Sequence, residues 1–235
     1  MSRGRDDSMR VSAAIAAAVP LVLVVPLMFQ GVYLYESEIR SSDDSAFYIN
    51  IKTGILVSEW DYRISDEVYG KVERNNFEDA KMDGTFEAGW NCGDNDAKDG
   101  EKSLCPDLRV TRNIFYLLLA VCMVFFIGGI VVSTNNYGAK VGWRNRGHMV
   151  FMTVAFGAVM VLAWVMVAVL VSENGPYEKS TDLDPGDDGA RGTGKWLEGL
   201  TLLTVAGAYS TIFFLFATTV LARHGGGKIL GGDDM

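Results

Sequence analysis

The side chains best suited to chemistry are three cysteines, two histidines and a cluster of carboxylates. Cys92 and Cys105 flank Asp94, Asp96, Asp99 and Glu101. Thiols and carboxylates this close together raise the question of a metal site, and the spacing argues against one. Structural zinc knuckles hold their cysteines two to four residues apart and often recruit histidine. Here the pair is set much wider, and His148 and His224 lie elsewhere in the chain. A calcium loop of EF-hand type fails too, because Lys98 stands where an oxygen ligand belongs and Asp99 where the turn glycine belongs. The acids therefore read as a solvated turn. In a protein that follows the secretory route, Cys92 and Cys105 read as a disulfide. Such a bridge closes a loop of about 14 residues and contributes roughly 3 kcal/mol in the chain-entropy description. Cys122 lies in an apolar run and reads as a small packing residue.

No catalytic constellation emerges from the remaining residues. Both histidines sit at the ends of apolar runs, there is no glycine-rich phosphate loop, and no Ser/His/Asp set converges on a plausible pocket. The expectation is a non-catalytic protein without metal, cofactor, small-molecule substrate or nucleic-acid partner.

The elements that must position these residues are membrane spans. Of 235 residues, 49% are apolar, yet the mean hydropathy is only +0.16, so apolar and polar stretches are segregated. Four uncharged runs, Val11–Tyr35, Ile114–Ser133, Met149–Val171 and Leu200–Leu221, reach the roughly 20 residues that cross about 30 Å of hydrocarbon. A water-soluble bundle would need a polar face on each helix, and these runs have none. The first run follows Arg3, Arg5 and Arg10, but it is far longer than the apolar core of a cleaved signal. Pro20 and Pro26 inside it predict a bend and require neighbours that satisfy the carbonyls they free. None of the runs holds the mid-membrane ionisable group on which pumps and transporters depend.

Loop charge sets the orientation. The stretch 134–148 carries Lys140, Arg144 and Arg146 and no acid, which places it in the cytoplasm. Both termini then lie inside, including the tail 222–235, and the stretches 36–113 and 172–199 lie outside. The net charge of −8 is concentrated in those outer loops and reads first as an orientation signal. An attraction for cations is the alternative.

The first outer loop is too long for a plain connector. Its β-branched and aromatic segments, Ala46–Ile51 and Gly54–Tyr62, separated by a turn at Lys52-Thr53-Gly54, predict two strands of a small antiparallel sheet. Asp66–Lys81 reads as a polar helix or an irregular excursion, and Gly84–Cys92 as a further strand. The second outer loop, with Asp182-Leu183-Asp184-Pro185-Gly186-Asp187-Asp188-Gly189, reads as an acidic turn. Trp196 after it suits the headgroup level.

Several of these residues together resemble the claudin superfamily, the four-span proteins that include claudins, peripheral-myelin-type proteins and calcium-channel γ subunits. Gly89-Trp90 followed by Cys92 and Cys105 is similar to the family's Gly-Leu-Trp motif with its two bridged cysteines. Leu108-Arg109-Val110-Thr111-Arg112 resembles the approach to the second span, with Arg112 at the recurrent arginine. Here Gly89 and Trp90 are adjacent, where the family separates them by one residue. Tyr33-Leu34-Tyr35, Lys195-Trp196 and Arg223-His224 are similar to the γ-subunit branch, which includes AMPA-receptor regulatory proteins. The resemblance implies one domain: an all-α transmembrane four-helix bundle with a small extracellular antiparallel β-sheet from the first outer loop.

Each marked residue also has a plainer role. Trp90 either touches a partner or packs the sheet on the helices. Arg112 either pairs with an outer-loop acid or reaches to headgroups. The functional expectation is an auxiliary, γ-like subunit of an ion channel or receptor in the plasma or ciliary membrane. It would contact a pore-forming subunit and lipid, with Tyr33, Tyr35 and Trp196 as contact residues. A claudin-like junction protein and a structural subunit of an organellar membrane complex are the alternatives.

Overall fold

The computed structural model describes residues 3–40, 46–64, 67–75, 99–134, 146–172 and 191–226. They form helix α1 (Arg3–Val24), a 3-10 turn (Val25–Met28), strands β1 (Gly31–Arg40), β2 (Ala46–Gly54), β3 (Val57–Ile64) and β4 (Glu67–Asn75), helices α2 (Asp99–Thr134) and α3 (Arg146–Val171), strand β5 (Arg191–Trp196) and helix α4 (Glu198–Gly226). Four apolar stretches of these helices are long enough to cross a bilayer: Val11–Met28, Leu108–Val131, Gly147–Val171 and Glu198–Arg223. The chain is an integral, multi-pass membrane protein.

The first span departs from the expected range. Its apolar run continues to Tyr35, but the α-helix ends at Val24 and the residues from Gly31 onward are strand. The reason is local. Pro26 cannot donate a helical hydrogen bond, and the backbone closes there as a 3-10 turn, with the Phe29 and Gln30 amides both donating to the Pro26 carbonyl at 3.0 Å. Beyond Gly31, the alternating Val32, Tyr33 and Tyr35 suit a pleated strand. The second helix begins well before the expected span: α2 starts at Asp99 and takes in Cys105 and Arg112, while its apolar stretch starts at Leu108.

Chain contacts divide the protein into two compact units. One comprises residues 1–25, 116–165 and 203–235. It is a helix bundle whose buried residues include Ala13, Ala16, Ala17, Leu118, Cys122, Phe125, Met152, Phe156, Ala163 and Ala206. Many large apolar residues of its spans are exposed as well, for example Val124, Val154 and Ile212. That is the composition hydrocarbon solvent demands.

The other unit comprises residues 26–115 and 166–202. It holds an antiparallel five-stranded sheet in the order β4-β3-β2-β1-β5. Both predicted strands of the first loop are present, with the turn shifted. Lys52 and Thr53 still pair with Glu59 and Ser58, so the chain reverses at Ile55-Leu56. Gly54 is required here, because a Cβ would stand 2.7 Å from the Val57 carbonyl oxygen and 2.9 Å from that of Gln30. Part of the stretch expected to be a polar helix or an excursion, Glu67–Asn75, is strand β4. Leu27, Val32, Ile55, Leu108, Phe115, Met166 and Leu170 are buried within this unit.

Candidate interaction surfaces

The sheet is completed by a strand from the segment between α3 and α4. β5 pairs antiparallel with β1, with Tyr33 opposite Trp196, Leu34 opposite Lys195 and Tyr35 opposite Gly194. Nothing in Arg-Gly-Thr-Gly-Lys-Trp alternates apolar and polar residues. The pairing is made by backbone and by one aromatic contact. The rings of Tyr33 and Trp196 meet edge to face with centroids 5.0 Å apart, a geometry that adds about 0.5–1.5 kcal/mol beyond area. The Tyr33 ring also lies directly over Gly194, where a Cβ would collide with it.

Beside this pair, the Lys195 ammonium is 3.5 Å from the Glu36 carboxylate and Lys52 is 3.7 Å from Glu59. The first pair is well exposed, and such pairs fix charge pattern more than stability. Where β5 leads into α4, the Leu197 amide donates to the Val32 carbonyl at 2.8 Å. Gly199 there lies against Gly31, with space for no side chain.

The bundle unit has its own polar contacts. Pro20 inside α1 has no N–H to offer the Ala16 carbonyl four residues earlier. The Tyr209 hydroxyl donates to that carbonyl at 3.2 Å. Farther along α4, the Trp164 indole donates to Thr211 Oγ1 at 3.1 Å, and that hydroxyl donates on to the Gly207 carbonyl at 2.8 Å. The indole lies against Gly207, within 3.2 Å of where a Cβ would sit. Ser210 is fully buried, and its hydroxyl has no hydrogen-bond partner among the described residues.

Aromatic rings link the helices around these groups. Phe156 of α3 meets Phe125 of α2 edge to face at 4.6 Å and stacks on Phe213 of α4 at 5.2 Å. Tyr209 lies 4.5 Å from Phe213. Between α2 and α3, an open groove of about 290 Å³ is lined by Ala120, Val121, Val124, Phe125, Phe151, Val154, Ala155 and Ala158. Phe151 sits on Gly128, where no side chain could be added without displacing it.

Of the residues marked in the sequence, Tyr33 and Trp196 come together in one contact. Trp196 is 42% exposed, so one face remains open to a neighbour or to headgroups. Tyr35 pairs through its backbone in the middle of the sheet. Arg112 is half-buried on α2, one residue beyond the buried Thr111. Gly89, Trp90 and Cys92 lie outside the described residues, as do most of the acidic turns; Cys105 lies in the α2 backbone. The expected disulfide and the Gly84–Cys92 strand therefore lie outside the described residues, as does 135–145 of the expected 134–148 loop; Thr134 ends α2, and Arg146, Gly147 and His148 belong to α3. Cys122 is buried, as a packing residue should be.

Three residues were missed by sequence reasoning: Gly194, Tyr209 and Phe151. Only Tyr209 carried a usable signal. An intramembrane proline implies a donor elsewhere in the bundle, and a tyrosine inside an apolar span is a natural source.

No protein-family model matches the chain. No curated protein matches it either.

Proposed function

We propose that this is a claudin-like four-span protein that acts as a non-catalytic auxiliary subunit of a larger membrane assembly, an ion channel or receptor of the kind served by γ subunits. The observation that supports this reading best is the sheet: strands from both outer segments join one antiparallel platform in a chain with four apolar helices. Such a platform offers backbone edges and half-exposed aromatics, Tyr33 and Trp196, to an extracellular domain. The spans offer apolar side chains to a partner's helices. A subunit of this sort shifts gating by binding one state of its partner more tightly than another. Gly89-Trp90, Cys92, Cys105 and Arg112 favour the same family. The basic stretch 134–148 favours cytoplasmic termini with the sheet outside, and the location that goes with the auxiliary-subunit reading is the plasma or ciliary membrane.

The test is a mild-detergent pull-down of the tagged native protein with mass spectrometry of everything retained. A pore-forming subunit recovered in fixed ratio supports the proposal. Recovery of self-oligomers with junctional scaffolds alone replaces it with an adhesion role. Recovery of respiratory or photosynthetic subunits replaces it with a structural role in an organellar complex.

A further inference from the structure

We propose that Lys52 and Lys195 hold the headgroup of a phosphatidylethanolamine at the membrane boundary where the first span ends and the fourth begins. The lipid phosphate lies between the two ammoniums, and Glu36 takes the headgroup's own ammonium. The proposal rests on the chain spanning a bilayer and is independent of the auxiliary-subunit reading.

Register places the charges. Leu34 of β1 stands opposite Lys52 of β2 on one side and Lys195 of β5 on the other. Lys52 in turn stands opposite Glu59 of β3. Directly opposed residues share a sheet face, so one row reads Glu59, Lys52, Leu34, Lys195. Glu36, two residues along β1 from Leu34, lies on the same face, and its carboxylate is 3.5 Å from the Lys195 ammonium. The face is open here, since the Lys52 and Lys195 side chains are 46% and 61% exposed.

Depth identifies the surroundings. The first span ends at Met28 and the fourth starts at Glu198. The two meet at Gly31: a Cβ on Gly199, inside the fourth span, would stand 2.7 Å from the Gly31 carbonyl oxygen. The Lys52 stem lies over that same glycine, where a Cβ would stand 2.6 Å from its Cγ and 2.7 Å from its Cε. Lys195 comes shortly before Glu198 in the chain, with Trp196 between them as the aromatic residue suited to this level. Both ammoniums therefore belong to the headgroup layer, about 5–7 Å thick on each side of the hydrocarbon. Phosphate is the anion that every phospholipid places there.

The charge pattern selects the ligand. Each ammonium carries three donors. At 3.5 Å from Glu36 and 3.7 Å from Glu59, the lysines lie beyond the roughly 2.7–2.9 Å of a charge-assisted hydrogen bond, so donors remain for another acceptor. Strands two apart set the lysine Cα atoms about 10 Å from each other, and flexible four-carbon stems let both ammoniums donate to one phosphate above Leu34. Two lysines and two glutamates sum to zero charge, so the set exerts no net pull on an anionic lipid. A zwitterion matches it, with phosphate on the lysines and ammonium on Glu36. Ethanolamine donates hydrogen bonds to a carboxylate, whereas the methylated choline ammonium has none to donate. A protein segment docking here would have to bring the same charge pair to a depth that phospholipid already fills.

The test uses the full chain, purified in mild detergent with added phosphatidylethanolamine, and counts retained lipids by native mass spectrometry. The wild-type chain should keep phosphatidylethanolamine in preference to phosphatidylcholine and phosphatidylglycerol. The double variant Lys52→Gln, Lys195→Gln should lose about tenfold in affinity. Glu36→Gln should erase the preference for ethanolamine over choline and leave retention of phosphatidylglycerol in place. Arg223→Gln, at the far end of α4, should change nothing. Circular dichroism shows that each variant is folded. Unchanged retention in the folded double variant would overturn the proposal. So would an equal loss in Arg223→Gln, which marks unspecific attraction of lipid to cations, or equal retention of a diacylglycerol, which lacks the phosphate. Wild-type retention of phosphatidylcholine as strong as that of phosphatidylethanolamine would overturn the role given to Glu36. Crosslinking of Lys195 to another polypeptide in native membranes, in place of a retained lipid, would overturn the proposal in favour of a protein partner.

Discussion

The hydroxyl of Tyr209 donates to the carbonyl oxygen of Ala16, the acceptor that Pro20 leaves without its helical partner. A proline in a membrane helix is tolerated when a neighbour takes over the freed carbonyl, and here the neighbour comes from the last span. Tyr209→Phe keeps the ring against Phe213 and removes only the donor. It should lower stability in detergent by about 0.5–1.5 kcal/mol. In a Pro20→Ala background, where the α1 backbone supplies its own donor, that loss should shrink. Equal losses in both backgrounds, in a double-mutant cycle read by unfolding, would show that the hydroxyl acts some other way.

Ser210, next in sequence, should respond with the opposite sign. Its buried hydroxyl has no partner among the described residues, and burying such a group costs about 1–3 kcal/mol. Ser210→Ala should leave stability unchanged or raise it, by thermal unfolding in the same detergent. A clear loss would mean that the hydroxyl has a partner, an ordered water for instance.

Close helix approach should be position-specific. A Cβ on Gly129 would stand 2.6 Å from the Ala17 Cβ, so Gly129→Val must push α1 from α2 and should destabilise by about 1–3 kcal/mol. Ala208 is exposed on α4, and Ala208→Val should be close to neutral. If both substitutions behave alike, Gly129 is not an internal contact.

Gly194→Val tests the join between β1 and β5. The added side chain cannot coexist with the Tyr33 ring, so β5 should detach from β1. Hydrogen exchange of the amides in 191–196 should accelerate, while that of the helical core of α4 should not. Unchanged exchange would mean that the Tyr33 ring moves aside freely.

The cysteines can be counted directly. Cys122 is buried, so the native protein should take up no alkylating reagent at this thiol. If Cys92 and Cys105 are bridged, denaturation without reductant should expose one thiol and denaturation with reductant three. Three thiols without reductant would remove the disulfide.

The spans were legible because an uncharged run of this length has one physical outcome in a bilayer. Their ends were less legible, since hydropathy cannot distinguish an apolar helix from an apolar strand. Val32-Tyr33-Leu34-Tyr35 extends the first apolar run, and only pairing with β2 and β5 makes it a strand. β5 itself was illegible for a related reason. Gly192 and Gly194 have little strand preference of their own and outweigh Thr193 between them, and β5 pairs along the edge that β1 offers. Lys195-Trp196 could be read as the chain's return to the membrane. Its contact with Tyr33 depends on a register that only the folded sheet sets. The Tyr209 contact was foreseeable as a need, through Pro20, but its donor was not.

The pairing of β1 with β5 has a consequence for how the protein is born. β1 emerges directly after the first span, whereas its partner lies just before the fourth. At synthesis rates of about 5–20 residues per second, the edge of β1 waits roughly 10–30 s for the strand that covers it. During that interval the nascent chain displays an open template for strangers, and a truncated chain displays it permanently. Completion of the sheet thus reports that the first three helices and every strand of the sheet have been made.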